Sequence, residues 1–298
     1  MTPEEDDTRY YISNSYSTNT DYISCTPSSG GAYCTTGGLI GGIIHGDIIS
    51  SYANVSEIDV NGDEVGGLIG YGSGLTVYKS FSFVEEEVSG SQSVGGLIGL
   101  IWNSSIRNSS AVFYGEIKND GGYTGGLIGE LKNSYVLNSY FYSTSGINTL
   151  TTVDYIGGFV GYGLNSSILN SYVYMASIYE YDGAALTDNV GGFIGYGEDV
   201  SLSNVFSDLI EVKSQGSNKG RLIGSGSGMQ ISNSYTYLET ICEGCNNDEG
   251  EDYQIDVDTY ELEDGAIYFS SPSNPPMDEW DFTYDWEEDF YGGVPYLK

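Results

Sequence analysis

Positive charge is what this chain has least of. Nine Lys and Arg stand against 42 Asp and Glu among 298 residues, a formal net charge of −33. Nucleic acid and anionic membrane surfaces both require a basic face, so this shortage excludes them as partners. Histidine occurs once, as His45. One imidazole with no cysteine beside it cannot build a zinc cluster. A Ser-His-Asp arrangement needs a placed nucleophile, and nothing around His45 supplies one. No run of 18 apolar residues is present, so no segment reads as a membrane span. Residues 1–9 are acidic and carry no apolar signal-peptide core, which implies either that export does not use this start or that the chain was cut from a longer precursor. The segment Tyr11-Ile12-Ser13-Asn14-Ser15-Tyr16 reads as the second half of a repeat whose first half is missing, which favours the cut.

What is abundant is glycine, 43 residues, and tyrosine, 28. With Ser, Asn and Ile they suit many short strands joined by tight turns, not long helices. The stretch Gly66-Gly67-Leu68-Ile69-Gly70 recurs, with copies beginning at Gly37, Gly95, Gly125, Gly157, Gly191 and, in altered form, Gly220 (Gly-Arg-Leu-Ile-Gly). The spacings between starts are 29, 29, 30, 32, 34 and 29 residues. A period in this range marks a repeat architecture in which each unit buries its apolar edge on the next. A second landmark follows each first Gly by 13 residues: Asn-Ser-Tyr at Asn138, Asn170 and Asn233, and looser forms at Ser50, Lys79, Asn108 and Asn204. All length variation therefore falls between this landmark and the next Gly-Gly, which places insertions in one loop per turn on one side of a stack.

Two residues before the second landmark stands an apolar residue in every copy (Ile48, Val77, Ile106, Val136, Ile168, Leu202, Ile231), followed by an unconstrained position. That is period-2 behaviour, one side chain in and the next out. A further apolar position holds Val55, Val84, Phe113, Met175, Leu209 and Leu238. Three short strands per unit then describe one turn of an all-β parallel β-solenoid (β-helix) of the right-handed type, about seven turns with terminal caps. The paired glycines have two candidate jobs, positive φ at a corner or close backbone approach. The recurrent Asn is expected to form a ladder bonding to the turn backbone. An aromatic column follows it (Tyr16, Tyr52, Phe81, Tyr140, Tyr172, Phe206, Tyr235), either stacked inside or lining an outer face.

Three regions follow: 1–36 as an N-terminal partial repeat and cap, 37–240 as the solenoid, and 241–298 as an acidic C-terminal cap. Within the last, residues 248–289 hold 16 Asp and Glu and no Lys or Arg. Trp280 and Trp286 are two of only three tryptophans, and covering the last open turn is their expected use.

The pairing of Gly-Gly-Leu-Ile-Gly with Asn-Ser-Tyr resembles the GLUG-motif repeats of bacterial and archaeal surface proteins. The closing Trp280-Asp281-Phe282, Trp286 and Pro295-Tyr296-Leu297 is similar to the ending such arrays carry. The resemblance covers 37–240 and that tail, and it implies a stalk or adhesive region of a large secreted or cell-surface protein.

Candidate chemistry is thin. Cys25/Cys34 and Cys242/Cys245 lie in opposite end regions, so one four-cysteine metal site is excluded and two local disulfides are expected, as suits an exported chain. Cys242-x-x-Cys245 lacks the βαβ context of a redox motif. Asp59-Val60-Asn61-Gly62-Asp63 and Asp256-Val257-Asp258 alternate oxygen ligands, but the full calcium loop is absent, so a solvated turn is expected and no cofactor beyond weak calcium. Glycoside hydrolysis needs two placed carboxylates; no strand position carries acid from turn to turn, leaving Asp154, Asp182 and Asp188 in the long loops as carboxylate and loop-contact candidates. The expectation is a non-enzymatic extracellular spacer that contacts a glycan or surface protein through its loops. A polysaccharide-acting β-helix enzyme and a filament subunit joined end to end are the alternatives.

Overall fold

The computed structural model describes residues 9–25, 34–149, 155–180, 189–216, 218–237, 240–245, 277–287 and 294–298. The Gly-Gly copies define it. Each first Gly ends a three-residue strand, and the seven strands from Thr35–Gly37 to Asn218–Gly220 form one parallel sheet. Gly37 pairs with Gly66, Gly66 with Gly95, and the register continues without slip through Gly125, Gly157, Gly191 and Gly220. The rest of every turn runs through a second sheet of 21 parallel strands that folds around the stack. Before the first full turn, Tyr10–Ser13 pairs with Gly46–Ile49 and Tyr16–Cys25 with Tyr52–Val60, so the half repeat read from the sequence is a half turn.

A turn holds more strands than the three read from periodicity. The third turn has five: Ser93–Gly95, Ile98–Trp102, Ser105–Arg107, Ser110–Phe113 and Glu116–Asn119. The two unforeseen strands pair through backbone groups while their outward side chains change from turn to turn. Glu116, for example, faces Glu87 on one side and Gly146 on the other, but the inward column beside it, Ile58, Val88, Ile117, Ile147, Ile178 and Val212, is apolar and buried throughout, a pattern the sequence reading passed over.

The core is a set of columns parallel to the axis. Ile48, Val77, Ile106, Val136, Ile168 and Leu202 are fully enclosed, and Val55, Val84, Phe113, Met175 and Leu209 fill the opposite wall, with Ser143 buried at the one polar step. The alternate positions Tyr78, Arg107 and Ser232 are exposed, as strand alternation requires. Larger side chains enter between: Phe159 stacks on Phe193 at 4.7 Å and Phe113 meets Phe141 at 5.7 Å.

The glycines serve close approach. None of the Gly-Gly pairs adopts a positive φ. A Cβ on Gly66 would lie 2.0 Å from the Ile69 carbonyl oxygen, and one on Gly67 would lie 2.0 Å from the Gly96 carbonyl oxygen of the next turn. The altered last copy now has a reason. A side chain on the second Gly collides with the turn that follows, and the seven-stranded sheet ends at Asn218–Gly220. Among the described residues no further strand of this sheet follows, so Arg221 meets no such clash there, while its own carbonyl occupies the space above Gly192.

Candidate functional site

Each turn bends at two corners where one residue, in most cases not a glycine, takes the left-handed conformation. The second is the Asn landmark: Asn14, Ser50, Lys79, Asn108, Asn138, Asn170, Asn204 and Asn233 all have φ between 44° and 54°. Asn tolerates this region because its short amide can bond locally. The amides bond mainly to one another, not to the turn backbone as the sequence led us to expect. Asn170 Nδ2 donates to Asn138 Oδ1 (3.2 Å), Asn204 Nδ2 to Asn170 Oδ1 (3.0 Å) and Asn233 Nδ2 to Asn204 Oδ1 (2.9 Å). The backbone is served by the next residue. The Ser51 N–H donates to Ser80 Oγ, Ser80 to Ser109, Ser109 to Ser139 and Ser139 to Ser171, at 3.2–3.3 Å. These hydroxyls meet backbone donors that the bend leaves without a ladder partner.

The first corner escaped the sequence reading. It holds His45, Gly74, Asn103, Asn133, Asn165, Asp199 and Gly228, with φ between 46° and 65°. Every member lies eight residues after the first Gly of its copy, so a search for residues tolerant of positive φ at constant offset would have found it. His45 is thereby a corner residue.

Immediately past the second corner the aromatic column points outward. Tyr16, Tyr52 and Phe81 stack at 5.3 and 4.9 Å, and Tyr140, Tyr172 and Phe206 at 5.0 and 4.9 Å, with planes within 9° of parallel. Between the two groups the column position is Ser110, which pairs in register with Phe81 and Tyr140. Tyr16 is 64% and Phe81 40% exposed, whereas Tyr172, Phe206 and Tyr235 are at most 5% exposed.

The difference comes from the C-terminal segment. It lies along the side of the stack against this column, where the sequence had led us to expect it over the last open turn. Trp286–Glu287 pairs antiparallel with Tyr296–Leu297. Trp280 stacks on Phe206 at 5.6 Å and Trp286 packs on Tyr172 at 5.8 Å. Tyr172 Oη donates to the Pro295 carbonyl (2.6 Å), Trp280 Nε1 donates to the Asn204 carbonyl (3.1 Å), and Asp285 accepts from Asn108 and Asn138 (2.6 and 2.8 Å). The column offers stacking faces and edges to any flat apolar ring, which is why the tryptophans settle there. Burial pushes the phenols of Tyr140 and Tyr172 upward, and it pushes the Asp208 carboxyl up to about 6.

Where the strap ends, a cavity of about 540 Å³ opens between the two aromatic groups, lined by Lys79, Phe81, Asn108, Ser110, Tyr140 and Lys298 among others. A separate tyrosine group lies elsewhere on the surface. Tyr123, Tyr155, Tyr162 and Tyr196 meet at 5.0–6.0 Å. Burial, reinforced by the Glu198 carboxylate, pushes Tyr162 up to about 12.

The residues singled out from the sequence are not gathered at one place. Cys25–Cys34 and Cys242–Cys245 are disulfides, with Cα atoms 6.1 and 5.5 Å apart. Asp154, Asp182 and Asp188, like Asp256 and Asp258, lie outside the described residues. Asp59 Oδ1 accepts from Ser89 Oγ at 2.7 Å, and among the described residues no group of three His, Cys, Asp or Glu side chains converges as a metal site. No helix of the described residues is long and apolar enough to cross a membrane.

Residues 90–112 match the GLUG motif family, and the chain carries that motif. The match runs from the end of the second turn through the corner at Asn108 to Val112, and so includes the Ser110 break. No curated protein and no solved structure matches the chain.

Proposed function

We propose that this chain is a non-catalytic spacer and adhesive stalk segment of an extracellular or cell-surface protein, making its contacts along its side. The observation that carries the reading is the unbroken register of the seven motif copies, six Gly-Gly and one Gly-Arg. Each turn donates a full set of strand hydrogen bonds to the next, roughly 4.8 Å further on, and the amide, serine and aromatic columns repeat the tie outside the strands. Such a stack resists bending while leaving its side loops free to vary. Two disulfides support an oxidising compartment, because such bonds persist outside the reducing cytosol. The net charge of −33 favours a solvated, self-repelling surface over a polyanionic partner.

Small-angle scattering combined with a glycan screen that reads both binding and product release tests this. The expected result is a rod of constant cross-section that retains a glycan or surface protein without shortening it. Release of shorter saccharides, or a mass that grows with concentration, would contradict the reading in favour of an enzyme or a filament subunit.

A further inference from the structure

A stalk that grips a partner along its side needs a place of defined chemistry, and the break in the aromatic column is built as one. We propose that the slot between Phe81 and Tyr140 binds one neutral pyranose ring of a glycan, a proposal that rests on the side-contact reading above. Phe81, Ser110 and Tyr140 are consecutive register partners. The two rings therefore stand two strand spacings apart, about 9.6 Å. A six-membered ring placed where the column lacks one would meet each wall at about the spacing the column uses elsewhere, 4.9–5.3 Å. Phe81, which is exposed, and Tyr140, which is half-buried and hydrogen-bonded to the Ser110 side chain, are the two rings of these stacked triplets that flank the break.

The rest of the lining decides which ring. Phe83, Val112 and Leu297 extend the apolar walls, and Lys79, Asn108 and Lys298 surround them with hydrogen-bonding groups. A pyranose has the same division, with apolar C–H faces and a rim of hydroxyls. Of the rim groups, Lys298 Nζ already donates to the Phe282 and Thr283 carbonyls and Asn108 Nδ2 to Asp285, so the preference for a sugar over an aromatic guest rests on the Lys79 ammonium and the Asn108 amide oxygen, which a plain aromatic ring would not use. Lys79 makes no ion pair among the described residues; its Nζ lies 5.8 Å from the Tyr78 ring centroid. It is held at the lip by its corner position, φ 48°, and can donate to a sugar hydroxyl. Asn108 is oriented by its bond to Asp285. An acidic sugar polymer would gain at Lys79 and lose against the field of the whole chain, whose charge is −33, so neutrality is part of the assignment.

The test is calorimetric titration of the full chain with cellohexaose, laminarihexaose and mannohexaose, alongside hexagalacturonate and N-acetyltryptophanamide. At least one neutral hexaose should bind, and more tightly than either of the other probes. Ser110→Tyr supplies the missing ring from the chain itself. It should weaken that binding by roughly tenfold or more with the melting temperature unchanged or raised. Phe81→Ala, on the uncovered half of the column, should weaken it by a similar factor and serves as the second variant if Ser110→Tyr disturbs folding. No binding of any neutral hexaose, retention of wild-type affinity in Phe81→Ala, or tighter binding of the tryptophan derivative or the acidic hexamer would overturn the proposal. Those results would leave the stalk reading standing on its scattering profile. Shortening of a hexaose that Ser110→Tyr abolishes would support the slot while overturning the non-catalytic reading.

Discussion

The aromatic column exists twice in this molecule, once covered and once bare. From Tyr140 onward Trp280 and Trp286 lie on it, while Tyr16 and Phe81 are exposed and Tyr52, stacked between them, is half-buried with no tryptophan on it. Sequence and local geometry are nearly the same in the two halves, with rings about 5 Å apart and planes close to parallel. What differs is the tertiary partner. Stacking along the axis is therefore an intrinsic property of the turn, and burial is a separate event contributed by one segment from the end of the chain. The column is a general receptor for flat rings, half of it used internally.

The sharpest way to break the comparison is to remove equivalent rings from the two halves. Tyr172→Ala takes away a ring enclosed between Tyr140, Phe206 and both tryptophans, together with its bond to Pro295. It should destabilise the chain by about 3–5 kcal/mol. Tyr52→Ala, with one face against Tyr16 and the other against Phe81, should cost about 0.5–1.5 kcal/mol. Denaturant melts of the two variants check both, and equal losses would mean that the strap does not bury the column. Between these extremes lies Trp286→Ala, expected to cost about 3 kcal/mol and to raise proteolysis of the C-terminal segment without moving the exchange protection of the first two turns.

Asp208 sharpens the covered half further. Its carboxyl is buried beside Tyr174 and rises from 3.8 to about 6. A carboxyl whose folded value lies above its unfolded one contributes stability that is fully present below pH 3.8 and is lost as pH rises through about 6,. Asp208→Asn should therefore raise stability at pH 7 by about 2–3 kcal/mol and flatten the pH dependence between 4 and 6.5. Melting temperatures across that range decide it, and an unchanged slope would place the titration elsewhere. The smallest effect is at the corner. Ser50 holds φ 50° where most turns have Asn, so Ser50→Asn should gain about 0.5–1 kcal/mol, measurable as a small rise in melting temperature.

The sequence was informative wherever a side chain had to repeat. Ile48 through Ile231 were readable as a core column because each must fill the same space between turns, and the Gly-Gly copies because any Cβ there strikes a carbonyl. The register partners follow from the period alone. The strands Ser93–Gly95 and Glu116–Asn119 were missed because their inward columns are less regular: one mixes Val65 and Val94 with Thr36, Thr124 and Lys219, and the other, Ile58 through Val212, is shifted by the register irregularity between Val55 and Glu57. The position of the strap was not legible either. Trp280 and Trp286 announced a large apolar surface seeking cover, but nothing local says that it would lie along the side. The Ser110 break was visible as a gap in the column, yet its meaning depends on the rings facing outward, a point periodicity left open between two faces. The long-loop carboxylates Asp154, Asp182 and Asp188 fall outside the described residues, and the side contact proposed for the stalk now rests on the aromatic column instead.

The most direct measurement is hydroxyl-radical footprinting of the intact chain with residue-level readout of the aromatic column. Tyr16, Tyr52 and Phe81 should label several times faster than Tyr172, Phe206 and Tyr235, in one molecule and under one dose. Equal labelling along the whole column would contradict a strap that covers one half and leaves the other open.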